Sequence, residues 1–296
     1  MTMQATIHSL YRYPVKSMGG DTLNSTALNA KGIPGDRCWT VKDEERGGIK
    51  GGKRFPQLMG MHAELEHEPD ALTPSPPVTI RLPDQSSTHS KDPNVNQALS
   101  KAIGSPVSLW PLLPADQLEH YKRPPNPENF DQMAYFRELF ARAEDEPLPD
   151  LSTFPKELFI YESSPGTYFD AFPLLIMTTA SLHAMSAASS ESNFDVRRFR
   201  PNIVLDTDAD GFVENEWVGK RLQLGSAVLL INAICPRCVM TTHGFADLPK
   251  DPKVMRHLVQ QNDGNLGVYA SVEKPGDIKL GDNVEWLSSD SSATAG

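Results

Sequence analysis

The segment NAICPRCVMTTHG, Asn232 to Gly244, holds two of the chain's three cysteines, Cys235 and Cys238, at C-x-x-C spacing. Thiols so placed serve as a redox pair, as half of a zinc site, as an inert buried pair, or as one metal ligand beside a bystander. A structural zinc site needs four ligands, usually from a second Cys/His pair at similar spacing. Here Cys38 stands alone, with His243 close to the motif. A thioredoxin-like pair sits at a strand-to-helix turn inside a βαβ unit, whereas this motif follows the apolar run AVLLINAI and precedes VMTT. Two small inert residues at a strand end are the plain alternative.

Arg237 lies between the thiols, and in DVRRFRPNIVL the residues Arg197, Arg198 and Arg200 precede Pro201 and Asn202. Three arginines within four residues, beside an apolar strand of an acidic protein, point to an anion site, because the guanidinium fork matches phosphate oxygens. Surface ion pairing is the alternative for each arginine alone. A second cationic cluster comprises Lys16 and Ser17 in YRYPVKS and Arg37 in GDRCW. PVKS lacks the glycine lead of a phosphate-cradling P-loop. The chain also has no H-E-x-x-H, G-x-S-x-G or G-x-G-x-x-G, which removes the commonest hydrolase and dinucleotide-binding readings.

The elements that must position these groups are short strands and few helices. A chain of 296 residues, 39% hydrophobic and 22% charged, buries a substantial core as two modest domains or one large one. Strand-forming runs TIHSLYRYPV, MGMHAELEH and VTIRL, separated by Gly, Pro and Asp clusters, fill the first part, with one helix at NVNQALSKAIG closed by Gly104. A Pro- and acid-rich stretch follows. It contains an amphipathic helix on which Phe130, Met133, Phe136, Leu139 and Phe140 share a face, and it reads as an inserted lid or linker. The remainder has a helix at TTASLHAMSAA and strands at NIVLD and RLQLGSAVLLINAI. A helix at DPKVMRHLVQQ, with Asp251 as cap and Pro252 in its first position, precedes the final strands LGVYASV and NVEWL. The expected division is 1–112, a β-barrel region; 113–155, the insertion; 156–287, a second β domain; and 288–296, a disordered tail.

The start of the chain has no signal-peptide pattern, and no apolar run approaches the roughly 18 residues that span a bilayer. Three cysteines do not make a disulfide framework, so a reducing, cytoplasmic location is expected, without membrane attachment. Lys+Arg 28 against Asp+Glu 38 gives a net charge of −10, which repels nucleic acid.

Taken in order, YPVKS, GDRCW, RRFRPNIVL, ENEWVGKRLQLG, CPRCVMTT and LGVYASVEKPGDIKLGD resemble the MOSC-domain family over nearly the whole chain. The similarity is to its two-part members, the mitochondrial amidoxime-reducing components and their bacterial relatives. It implies a mostly β fold with a few helices, in which a MOSC β-barrel packs with an N-terminal β-barrel-like region. It also implies a molybdenum–pterin cofactor whose metal is held by Cys238, with Cys235 as bystander and Arg237 depressing a thiol pKa. Cofactor contacts carry over to Lys16, Ser17, Arg37, Arg200 and Asn202, more loosely to Thr178 and Thr179, with Arg198 and Arg237 completing the cationic set. The implied activity is reduction of N-hydroxylated compounds. His243, whose residue type titrates at about 6.5, is a candidate proton donor, with a solvated loop histidine as the alternative. Electrons would come from a separate donor, either a cytochrome b5-type protein with its flavin reductase or a flavin/iron–sulfur reductase. A non-catalytic carrier of cofactor or persulfide sulfur is the rival reading, and a domain with an empty site is a third. Pro236 replaces the serine of some relatives, and His243-Gly244-Phe245 stands where some have Val-Asp-Pro.

Overall fold

The computed structural model describes residues 4–287, so the expected disordered tail lies outside the described residues. The first part runs β1 (Ala5–Arg12), β2 (Asp21–Leu23), β3 (Ser25–Leu28), β4 (Trp39–Asp43), β5 (Ile49–Lys50) and β6 (His62–Leu65). It continues with β7 (Val78–Arg81), β8 (Ser87–His89), helix α1 (Val95–Ile103) and β9 (Val107–Pro111). Helix α1 buries Val95, Leu99 and Ile103, spaced four apart on one face, and ends where Gly104 turns left-handed at φ 79°.

Helices α2 (Leu118–Tyr121) and α3 (Gln132–Leu139) fall within 113–155, the stretch expected to be an insertion. Asp131 caps α3 by accepting from the Ala134 N–H, yet no residue within this helix is buried. The expected apolar face is present in part: Phe130, Phe136, Leu139 and Phe140 line a cavity, while Met133 is 56% exposed and lies off it.

The last part comprises β10 (Leu174–Thr178), α4 (Thr179–Ala188), β11 (Ile203–Thr207), β12 (Arg221–Leu224) and β13 (Ala227–Pro236). After these come α5 (Lys253–Asn262), β14 (Asn265–Lys274), β15 (Gly276–Lys279) and β16 (Val284–Leu287). Helix α5 begins one residue later than the sequence pattern predicts. Pro252 stands at the cap with helical φ and ψ, and Asp251 still satisfies the first free amide by accepting from Lys253 N at 3.0 Å.

Eight strands form the main sheet in the order β16-β12-β13-β14-β10-β11-β1-β2, antiparallel except between β10 and β11, which α4 connects. Strand β13 alternates buried and half-buried residues along its whole length, the pattern of a strand with one face in the core. The N-terminal strand is thus built into the sheet of the C-terminal half, and β3 pairs with β15 as a second stitch. Leu10, Ile176, Leu205, Leu229, Val268 and Trp217 are buried together beneath this sheet. A separate core of Val41, Leu58, Met61, Ile80, Leu99 and Val107 supports the small sheets β5-β4-β9 and β6-β7-β8. The fold is mostly β with a few helices, as the strand spacing predicts.

Candidate functional site

Loops flanking β1, β4, β5, β11 and β13 converge on one cavity of about 800 Å³. Its wall includes Lys16, Ser17, Arg37, Arg198, Arg200, Asn202, Arg237, Cys235 and Cys238. The two cationic clusters and the cysteine motif, far apart in sequence, therefore meet.

The two cysteines differ physically. Cys235 ends the alternating pattern of β13 facing inward, 1% exposed, and its sulfur accepts a hydrogen bond from Arg237 Nη1 at 3.0 Å. Burial pushes this thiol up, with Arg237 opposing. Cys238 follows the strand, is half-buried, and immediately precedes the one-turn 3-10 helix Val239–Thr242. Its carbonyl accepts from Thr241 N, but its sulfur has no hydrogen-bond partner among the described residues. Both thiols are free, so the motif is not a closed disulfide.

The arginines divide into those the fold consumes and those it leaves available. Arg198, 1% exposed, donates to the carbonyls of Asn193, Thr241, His243 and Pro249, which ties the loop after Cys238 to the start of β11. Arg197 pairs with Asp195 and Asp247 outside the cavity. Asn202 is likewise engaged with backbone, accepting from Leu175 N at 3.2 Å and donating to Tyr11 O at 3.4 Å. Arg200 donates to Met18 O and lies 4.2 Å from the Tyr13 ring centroid, but its buried Nη2 has no partner. Burial, reinforced by the like charge of Arg37, pushes its pKa down to about 10, so it stays cationic at neutral pH. Arg237 also keeps a buried Nε without partner. Arg37 pairs with the buried carboxylate Asp36 and reaches Arg200 O at 3.5 Å.

Lys16 donates to Tyr168 O at 2.7 Å and to Asp170 at 2.8 Å. Burial pushes its pKa down against the pull of Asp170. The Asp170 side chain is about half exposed, and Lys16, Lys53 and Arg37 together hold it well below the usual carboxylate range. The Ser17 hydroxyl accepts from Gly52 N at 2.8 Å, and a Cβ on Gly51 would stand 2.6 Å from that oxygen, so the Gly51-Gly52 pair permits the close approach.

Three of the wall residues, Ser17 (φ 70°), Arg37 (φ 49°) and Arg200 (φ 59°), adopt left-handed backbone conformations that cost side-chain-bearing residues roughly 1–3 kcal/mol each. Strain and unpartnered guanidinium nitrogens at one place are the marks of a site shaped for an anion. A thiol open to the same space is of the residue type that binds soft metal ions.

Thr178, Thr179 and His243 do not line this cavity. The Thr178 hydroxyl caps α4 and donates to buried Glu214, and Thr179 donates to Asp206 on another face. His243 contributes its carbonyl to Arg198, and burial lowers its pKa below the ordinary histidine value. Sequence reasoning missed Lys53, Arg46 and Asp170, which the fold brings into the wall. Only Lys53 has a local hint, the glycine pair beside it in IKGGKRF.

Fold and site together define a two-part β protein with a cationic, cysteine-bearing cavity. The MOSC N-terminal beta barrel domain matches residues 4–107 and the MOSC domain matches residues 164–285, so the chain belongs to the MOSC-domain family. It is similar to mitochondrial amidoxime reducing component 2 of Bos taurus, at 25% identity over 94% of this chain and 82% of that protein. The corresponding human protein is 27% identical over the same shares, and human mitochondrial amidoxime-reducing component 1 is 25% identical over 95% of this chain and 83% of its own. The YuaD protein of Bacillus subtilis aligns over 95% of this chain and 94% of its own at 12% identity and a TM-score of 0.42. No helix among the described residues is long and apolar enough to cross a membrane.

Proposed function

We propose that the protein is a reductase of N-hydroxylated compounds that depends on a molybdenum–pterin cofactor, with Cys238 as the protein ligand to the metal. The observation that carries this reading is the Cys238 sulfur, open to the cavity and unbonded, beside a Cys235 that is buried and held by Arg237. The names of the relatives, amidoxime reducing components, support the same chemistry.

Arg200 and Arg37, with Ser17 and Lys16 beside them, would hold the cofactor's phosphate, the free Nη2 of Arg200 being the donor already in place. Arg198 and Asn202 act one step back, fixing the loops that carry those groups. When bound, the cofactor supplies two-electron chemistry: the N–O bond breaks, two electrons and two protons enter, and the oxygen leaves as water. The chain's own part is to bind and orient. The 113–155 insertion, through Phe136, Leu139 and Phe140, forms an apolar wall that excludes water from the bound molecule. Thr178, Thr179 and His243 take no direct part. Electrons come from a separate donor, a cytochrome b5-type protein with its flavin reductase or a flavin/iron–sulfur reductase, and the location is cytosolic.

Protein made in a host that synthesises the cofactor is expected to retain molybdenum and pterin and, with reduced viologen, to convert benzamidoxime to benzamidine. If loaded protein makes no amidine above a Cys238→Ser control, the reductase reading falls and a carrier of cofactor or persulfide sulfur replaces it.

A further inference from the structure

Two cations of the cavity wall have no role in holding the fold. Lys16 faces Asp170, Lys50 and Arg123 share Glu162, and Arg54 faces Asp43. Lys53 and Arg46 line the same space with no ion pair and no side-chain hydrogen bond among the described residues. Lys53 is an exposed ammonium on the same wall as Cys238, Tyr135 and Phe136. It sets a positive charge in the space shared by the cysteine site and the insertion helix.

The insertion supplies the other half of the argument. Helix α3 buries none of its residues, yet Tyr135 and Phe136 line the cavity, their rings 5.7 Å apart, and Phe130 lies 5.3 Å from Tyr135. An aromatic face left open to a cavity gains from a planar ring laid against it, through both area burial and offset ring contacts.

We propose that the substrate is a planar aromatic N-hydroxylated molecule bearing a carboxylate, its ring against Tyr135 and Phe136 and its anion on Lys53, with Arg46 adding positive charge. The N-hydroxylated part of this statement rests on the reductase reading, whereas the aromatic and anionic parts rest on the wall.

The test is calorimetric titration of the cofactor-loaded protein with benzamidoxime and with 4-carboxybenzamidoxime, alongside viologen-driven turnover of both. The carboxylated probe should bind about tenfold more tightly, the value of one charge-assisted hydrogen bond. Lys53→Gln should bring the affinity ratio to within about twofold, and Lys53→Arg should restore it. Phe136→Ala should weaken both probes together and leave the ratio intact. Equal affinities in the unaltered protein, or a ratio that survives Lys53→Gln, would overturn the anion site, and unchanged binding in Phe136→Ala would overturn the aromatic one. Turnover of both probes without a carboxylate preference would sink this inference while sparing the reductase reading. A preference that appears in binding with neither probe reduced would do the reverse.

Discussion

Arg237 Nη1 stands 3.0 Å from the Cys235 sulfur and donates to it, while Nη2 donates to Phe199 O at 2.6 Å. The arginine between the two cysteines therefore secures the buried thiol and the segment entering β11. It does not bond Cys238, as a simple reading of the C-x-R-C spacing suggests. Both cysteines belong to the cavity wall, but Cys238 is the half-buried one whose sulfur has no hydrogen-bond partner among the described residues, and the separate fates of the two thiols organise the functional reading.

Arg200 combines a strained backbone, one bond to Met18 O and an unpartnered Nη2. Arg200→Gln should cost about 1–2 kcal/mol of stability, from the lost Met18 bond and the contact with Tyr13. Retention of pterin and molybdenum should fall roughly tenfold or more. Pterin fluorescence after release and metal analysis on the folded variant read this directly. Unchanged occupancy would remove Arg200 from the phosphate site.

Arg198 should behave in the opposite way. Its four carbonyl partners lie within 2.7–3.3 Å, and Arg198→Ala would take the shared donor from all four, the buried Thr241 carbonyl among them. A loss of about 3 kcal/mol is expected in urea unfolding, seen as a lower midpoint at constant slope. Arg198→Lys should recover only part, because one ammonium cannot reproduce the fork. A loss under about 0.5 kcal/mol, the range of ordinary surface changes, would show that the loop after Cys238 is held by other means.

Asp170 predicts a pH signature. Its folded-state pKa lies below its unfolded value, so its contribution is fully present above the ordinary carboxylate value near 4 and is lost as pH falls below it. Asp170→Asn should destabilise the protein at neutral pH by leaving Lys16 without its anion, and the two stability profiles should converge as the solution is acidified below about pH 4. Parallel profiles across that range would contradict the pairing.

The cysteine motif, the arginine run and the Lys16 and Arg37 clusters were legible because residue type and local spacing carry their meaning. So was the mostly β fold, since strands such as β13 alternate in burial. Lys53 and Arg46 were not legible, because a charged residue in a loop reads the same whether it faces solvent or a cavity. Only the nonlocal pairings that bring Lys53 into the same wall as Cys238 make the distinction. Thr178 and His243 show the converse. Both adjoin the motifs that reach the cavity wall, but the start of α4 turns the Thr178 hydroxyl toward Glu214, and His243, which gives its carbonyl to Arg198, does not line the cavity. The pairing of β1 with β11 and of β3 with β15 depends on contacts across most of the chain, which periodicity does not encode.

The most direct test of the central claim is viologen-driven reduction of benzamidoxime by Cys238→Ser and Cys235→Ser proteins prepared side by side with equal folding. Cys238→Ser should lose more than the roughly 100-fold that removal of an outer partner of a metal site causes, and should retain no molybdenum. Cys235→Ser should keep a sizeable fraction of both metal and activity, its hydroxyl still able to accept from Arg237. Equal loss in the two variants, or activity that survives in Cys238→Ser, would contradict the assignment of Cys238 as the metal ligand.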